Sequence, residues 1–195
     1  AQCNVIVHLA ALNRHSNPEE ILRTNVALVE KLTNALESTN SKPHIIFSSS
    51  TQENLDNIYG KSKKAGRELI INWCKKSGCK FTGLIIPNVF GPFGKPFYNS
   101  VVSTFSYQIT HNQTPRIDVD NNLKLVYVIN LVKKISEVID LKIVNESLLI
   151  DNDFESKVTE ILYKLQYYYE TYLINKIIPD FKTVNDIFLF NTFRS

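Results

Sequence analysis

The sequence predicts an α/β fold built on a doubly wound parallel sheet. Short apolar runs alternate with segments of helix length, and the apolar residues within each run are consecutive, so both faces of each strand are expected to be buried. Helix start and stop signals separate the runs. Beyond Gly91 the pattern loosens, and we expect a small, mainly helical region there.

The first strand is expected over residues 4–10. The following helix begins at Asn17 and Pro18, because Asn is a preferred N-cap and Pro suits the first helical position, and its apolar positions recur to about residue 37. A second strand is expected over residues 43–49, followed by a helix over residues 59–77. Gly78 marks the left-handed stop of that helix, and residues 81–87 form a third strand.

In the second half we expect helices at 100–111, at 131–140 with Asn130 as its cap, and at 154–176. The last residues carry exposed phenylalanines, Phe188, Phe190 and Phe193. The predicted domains are residues 1–150, a partial catalytic domain, and residues 151–195, a C-terminal helix and linker.

Composition excludes several classes of protein. With 44% hydrophobic and 21% charged residues, the chain has the balance of a globular protein. No apolar run approaches the roughly 20 residues of a membrane span. The net charge of +3 is too small to indicate a nucleic-acid partner. Three irregularly spaced cysteines indicate free thiols, so we expect a cytoplasmic protein without a metal site.

The strongest chemical signal is a serine-rich strand end followed by a tyrosine and a lysine at a helix start. Ser50 follows the second strand, and Tyr59 and Lys63 are four residues apart, so they share one face of the next helix. An ammonium group beside a phenol lowers the pKa of the phenol. A serine hydroxyl can hold a substrate oxygen nearby, so this trio can protonate a carbonyl or remove a proton as hydride moves.

Several segments resemble the extended short-chain dehydrogenase/reductases, the NAD-dependent epimerase/dehydratase family. In chain order they are HLAALNR, Asn25, SSSTQENLDNIYGKSKKAGRELI, PNVFG, YNSVVSTF and LVYV. Within that family they resemble in particular the capsular-polysaccharide UDP-sugar reductases that carry a C-terminal cupin domain. The resemblance implies a Rossmann-like fold whose first strands and glycine-rich cofactor loop lie outside this chain, as does the cupin domain. The absence of Met and the opening strand fit this expectation of a chain truncated at both ends.

The resemblance also implies roles for individual residues. Tyr59 would be the catalytic acid/base, Lys63 its partner and a ribose-binding group, and Ser50 the hydroxyl that orients the carbonyl. The cofactor, NADP or NAD with NADPH favoured, would in addition be lined by Leu9, Ala10, Ala11, Pro87 and Val89. The groups expected to face the nucleotide-sugar substrate are Arg14, Ser50, Asn88, Asn99 and Ser100, although a surface salt bridge is an equal alternative for Arg14.

The resemblance leaves three functions open. The first is an oxidoreductase that reduces the C4 keto group of a UDP-2-acetamido-2,6-dideoxy-hexos-4-ulose with NAD(P)H in capsular polysaccharide biosynthesis. The others are a nucleotide-sugar 4-epimerase and an inactive remnant or dimerisation module. Gln52 stands where family dehydratases have Asp in a Thr-Asp-Glu motif, which argues against a dehydratase. A homodimer is expected through the helices at 18–37 and 59–77.

Overall fold

The computed structural model describes residues 3–195, which form two compact units. The first unit contains the described residues up to Pro87 together with Ile135–Ile150, and the second contains Asn88–Lys134 and Asp151–Ser195. The chain leaves the first unit after Ile150 and enters the second at Asp151, and the predicted domain boundary lies at this position. The division into domains at that residue remains a prediction.

The chain contains seven strands and six α-helices within residues 3–195. The strands are β1 (Val5–His8), β2 (His44–Ser50), β3 (Phe81–Ile86), β4 (Asn88–Phe90), β5 (Asn122–Tyr127), β6 (Asn145–Leu149) and β7 (Phe154–Lys157). The helices are α1 (Pro18–Ser38), α2 (Ile58–Ser77), α3 (Val101–Thr110), α4 (Val128–Asp140), α5 (Val158–Tyr168) and α6 (Val184–Phe193). A 3-10 helix spans Thr51–Asn54, and a π-helix spans Tyr169–Ile174.

The sheet of the first unit is entirely parallel, in the order β1-β2-β3-β6. Ile45, Ile46 and Phe47 are consecutive in β2 and are all buried, so both faces of this strand are covered. Apolar residues of α1 and α2, among them Val29 and Ile70, pack in one cluster with β2. These features confirm the predicted α/β fold with a parallel sheet.

Local signals place α1 and α2 where the sequence predicts them. Asn17 caps α1, its side chain accepting a hydrogen bond from the backbone N–H of Glu19, and Pro18 is the first helical residue. Gly78 ends α2 with φ at 77°, the left-handed conformation that favours glycine. Lys63 is buried in α2, whereas the other lysines of this helix are exposed.

The second unit contains a three-stranded sheet, β4-β5-β7, in addition to its helices. β4 and β5 pair in parallel, whereas β5 and β7 pair antiparallel. Its core is rich in aromatic rings, and Tyr168 at its centre is 1% exposed, with its hydroxyl donating to the backbone oxygen of Asp186 at 3.1 Å. The mainly helical region expected here therefore also contains strands.

Three expectations about individual elements are wrong. The segment 154–176 is a strand, an α-helix and a π-helix in succession, because residues 154–157 pair with β5. Phe190 and Phe193 are 7% and 5% exposed, since α6 turns them into the core. Asn130 does not cap α4, which begins at Val128; its side chain instead donates to Asp153 at 2.8 Å.

Among residues 3–195, no helix combines the length and the apolar character that crossing a membrane requires. Nor do three or more His, Cys, Asp or Glu side chains of these residues gather as metal ligands would.

Candidate active site

The predicted catalytic and cofactor residues of the first unit lie along the carboxyl edge of its parallel sheet. β1, β2 and β3 end there side by side, with His8 opposite Phe47 and Ser50 opposite Ile86. The predicted cofactor-lining residues that follow these strand ends are Leu9, Ala10, Ala11 and Pro87. In open α/β sheets this edge is where ligands bind. The topology therefore brings the predicted catalytic and cofactor residues of the first unit to the edge of the sheet at which ligands bind.

Ser50 has a capping role that also orients its hydroxyl. Its Oγ accepts a hydrogen bond of 3.2 Å from the backbone N–H of Gln52, at the start of the 3-10 helix. The residue is 9% exposed. A serine hydroxyl that accepts one bond retains its own proton for donation. Ser50 can therefore donate to a substrate oxygen without losing its structural contact.

Tyr59 is held in the first turn of α2 by close packing. Asn57 caps the helix by accepting a hydrogen bond of 2.8 Å from the backbone N–H of Gly60. A Cβ at Gly60 would clash with the backbone oxygen of Gln52. Only a glycine lets the 3-10 helix approach this turn so closely. The contact joins the segment that follows Ser50 to the turn that carries Tyr59.

A buried asparagine connects three parts of this edge. Asn25 on α1 is 5% exposed and exchanges two hydrogen bonds with the backbone of Leu12, at 2.7 and 3.0 Å. Its side-chain amide also donates to Ser62 Oγ at 2.8 Å, and that hydroxyl donates to the backbone oxygen of Tyr59 at 2.7 Å. From the sequence, Asn25 contributed only to the family resemblance. The sequence signal for this role is the position of Asn25 on the otherwise apolar face of α1, since a buried amide needs hydrogen-bond partners.

Lys63 is a buried ammonium one helical turn after Tyr59. The residue is 3% exposed, and its Nζ is 3.5 Å from Ser48 Oγ. Burial lowers the pKa of Lys63 from 10.5 to about 8, and the charge of Glu53 opposes this shift. A lysine buried with so few partners carries an energetic cost that favours a functional explanation.

Glu53 forms a structural ion pair and is not a candidate catalytic group. Its two carboxylate oxygens accept hydrogen bonds of 3.0 and 2.7 Å from Arg67, and Ser49 also donates to the carboxylate. Arg67 in turn donates to the backbone oxygen of Glu146 and to Ser147 Oγ, at 3.3 and 3.0 Å. This pair ties the 3-10 helix to α2 and β6, a contact that sequence spacing did not reveal.

We expect Glu53→Gln to destabilise the protein by about 3 kcal/mol, because the Glu53 and Arg67 side chains are only 5% and 14% exposed and a buried cation would lose its counter-charge. The measurement is urea unfolding. The matched control is Asp56→Asn, which removes the exposed pair with Lys61 and should leave stability unchanged. Equal stabilities of the two variants would contradict the structural role of Glu53.

His8 packs at the end of β1, and its ring stacks on Phe47 with centroids 5.5 Å apart. Burial and then the charge of Lys63 lower the pKa of His8. The imidazole is therefore neutral at physiological pH.

Of the remaining predicted site residues, one lies in the first unit and four lie in the second. Arg14 is exposed and forms no ion pair within residues 3–195. Val89 and Asn88 lie on β4 in the second unit, and the Asn88 amide donates to the backbone oxygen of Lys124 at 3.1 Å. Asn99 is also in the second unit and is exposed, whereas Ser100 caps α3 by accepting a bond of 3.3 Å from Ser103 N–H.

The first-unit residues fit a polyhydroxylated cofactor. An ammonium group has three donors, and Lys63 uses one of them on a bond at the long limit of 3.5 Å, so it has donors left for ribose hydroxyls. Leu9 is 58% exposed and Ala10 is also exposed, so both offer ligand-facing surface at the strand end. These residues would hold the nicotinamide ribose.

Comparison with known proteins places this geometry in context. Residues 1–145 match the NAD dependent epimerase/dehydratase family. UDP-2-acetamido-2,6-beta-L-arabino-hexul-4-ose reductase from Pseudomonas aeruginosa is 33% identical over 162 residues, which cover 82% of this chain and 44% of the reductase.

Solved structures share the fold. The capsular polysaccharide assembling protein CapF from Staphylococcus aureus is 31% identical with a TM-score of 0.81, over 98% of this chain and 52% of that chain. UDP-glucose 4-epimerase from Thermotoga maritima is 19% identical with a TM-score of 0.78, over 98% of this chain and 76% of the epimerase, which is similarity of fold alone. The chain spans about half the length of the bacterial reductase and of CapF.

Proposed function

Because the chain belongs to the NAD dependent epimerase/dehydratase family, we propose that it carries the catalytic residues of a nucleotide-sugar reductase. The proposed reaction reduces the C4 keto group of a UDP-2-acetamido-2,6-dideoxy-hexos-4-ulose with NAD(P)H during capsular or surface polysaccharide biosynthesis. The names of the Pseudomonas reductase and of the staphylococcal capsule protein support this substrate class.

One observation carries the proposal: a buried ammonium one turn from a tyrosine, beside the serine-rich end of β2. In this position the positive charge of Lys63 favours the phenolate form of a phenol one turn away. Tyr59 is therefore the group proposed to release a proton to a substrate oxygen. Ser50 donates a hydrogen bond to the same oxygen and orients the carbonyl.

The nicotinamide cofactor, when bound, supplies the hydride that converts the C4 carbonyl into a secondary alcohol. The protein's own contribution is to hold the C4 oxygen and to deliver the proton. Tyr59 transfers the phenolic proton to that oxygen, and solvent replaces it afterwards. Lys63 would hold the ribose of the cofactor and would stabilise the phenolate that remains. Asn88, Asn99 and Ser100 of the second unit, and Arg14, stay proposals for contacts to the nucleotide-sugar.

The ion pair of Glu53 argues against a dehydratase. Water elimination in that branch of the family uses the acids of the Thr-Asp-Glu motif, and here Gln52 replaces the Asp. The remaining acid, Glu53, is held by Arg67 and Ser49. Both oxygens of this carboxylate are therefore engaged within the protein.

The proposal is tested with the full-length protein, NADPH and the 4-keto sugar nucleotide. We expect one NADPH to be oxidised for each keto sugar consumed, and a C4 hydroxyl in the product by NMR. UDP-N-acetylglucosamine, which has no keto group, should give no oxidation. Interconversion of 4-hydroxy epimers without net NADPH oxidation would replace the proposal with a 4-epimerase. Failure to bind NADPH would favour an inactive remnant.

Three finer points belong to the same proposal. NADPH is preferred over NADH because the family members that the sequence resembles use it. A homodimer forms through the helices at 18–37 and 59–77. The protein is cytoplasmic, consistent with the free thiols of Cys3, Cys74 and Cys79.

A further inference from the structure

Phe47 lies directly beneath the lysine of the candidate site. It is the fourth residue of β2, is 2% exposed and belongs to the cluster that packs against α1 and α2. A Cβ added at Gly66 would lie 3.2 Å from Phe47 Cζ, tighter than ordinary contact. The missing side chain at Gly66 therefore lets α2 rest on the ring itself.

This close approach places Lys63, three residues before Gly66, over the face of the ring. Its Nζ is 4.6 Å from the centroid of Phe47. The negative face of an aromatic ring attracts a cation at this distance, most strongly where both are removed from water. Phe47 and Lys63 meet that condition, since they are 2% and 3% exposed.

Few other groups compensate the buried charge. Within residues 3–195 no carboxylate forms an ion pair with Lys63, because Glu53 is engaged by Arg67. Among residues 3–195, the charged and titratable groups near it include Glu53 from the 3-10 helix, His8 from β1 and Tyr59 one turn earlier on α2. His8 is neutral and stacks on the same ring, so it adds no competing charge.

We propose that Phe47 is a positioning residue for the proposed reductase reaction: its ring face holds the Lys63 ammonium at the carboxyl edge of the sheet. The consequence for catalysis rests on the proposed function, whereas the contact itself does not. Without the ring, the ammonium would lose a contact that stabilises its charged form, and the charge needed beside Tyr59 would be lost at lower pH.

The test follows the titration of Lys63 by NMR of lysine labelled with ¹³C at Cε, in the full-length protein. In Phe47→Leu we expect the pKa of Lys63 to fall by about one pH unit, because a cation–π contact stabilises the charged form. The pH profile of kcat/KM should also change in this variant, because the charge beside Tyr59 is lost at lower pH. A second variant carries 3,5-difluorophenylalanine at position 47. This residue keeps the shape of the ring but reduces the negative potential of its face, so the pKa of Lys63 should fall by less than in Phe47→Leu.

The matched control is Phe81→Leu, which removes another buried ring of the same cluster and should leave the titration of Lys63 unchanged. An unchanged or raised pKa of Lys63 in both Phe47 variants would overturn the proposal. If the titration shifts as expected in a protein that reduces no keto sugar, the contact stands and the proposed function fails.

Discussion

Tyr59→Phe is expected to lower kcat for the 4-keto sugar by about a thousandfold in the full-length protein. The variant keeps the ring but loses the proton that the C4 oxygen receives, and a positioned acid contributes about 10² to 10⁴ in rate. Binding of the sugar nucleotide should stay near the wild-type value, because the phenol acts on the reacting oxygen. The measurements are NADPH oxidation for turnover and calorimetry for binding.

The control for this variant is Tyr163→Phe, which removes the hydroxyl of a tyrosine that is 69% exposed on α5 in the second unit. It should retain full activity. Wild-type turnover in Tyr59→Phe would remove Tyr59 from the mechanism and with it the proposed role of Lys63.

Lys63→Met is expected to abolish activity and at the same time to stabilise the protein. Burial lowers the pKa of Lys63 from 10.5 to about 8 in the folded state. At 1.36 kcal/mol per pH unit, holding the buried charge costs about 3 kcal/mol at neutral pH. Methionine has a similar length and no charge, so the variant avoids this cost. Activity is lost because no ammonium remains beside the phenol.

The stability gained by Lys63→Met should depend on pH, and the direction of this dependence follows from the lowered pKa of Lys63. Between pH about 8 and 10.5 the unfolded chain keeps a proton on Lys63 that the folded protein has released. Stability of the wild type therefore rises with pH through this window. The advantage of Lys63→Met should be complete at about pH 7 and should fall to about a quarter of that value at about pH 10.

Urea unfolding at these two pH values measures the effect, without added nucleotide because a bound ligand would shift stability. Lys64→Met is the control. Lys64 is the exposed neighbour of Lys63 on α2, so its replacement should change neither stability nor activity. If Lys63→Met is less stable than the wild type at neutral pH, burial of the charged ammonium does not reduce the free energy of unfolding.

The parts of the fold that the sequence predicts are those with local causes. Asn17, Pro18 and Gly78 mark helix ends through bonds within a few residues, and β2 is a continuous apolar run. By contrast, β6 is a polar segment, Asn-Glu-Ser-Leu-Leu, which becomes a strand only by pairing with β3. The strand β7 has no turn signal before α5, so the two read as one helix.

The candidate site divides in the same way. The spacing of Tyr59 and Lys63 lies within one helix, so the sequence suffices to place both on one face. The contacts that hold them are between elements: Asn25 reaches Ser62 across 37 positions. The ring of Phe47 beneath Lys63 likewise depends on how α2 packs on the sheet. Such contacts have no periodic signature in a single sequence.

The discontinuity of the first unit has a consequence for synthesis on the ribosome. β3 is complete at Ile86, but the strand that covers its edge begins only at Asn145, and Arg67 meets Ser147 across 80 positions. During translation the nascent sheet thus carries an open edge while the intervening residues are made. Open edges invite pairing with other chains. Over this interval the edge of β3 is therefore more exposed to such pairing than it is in the completed sheet.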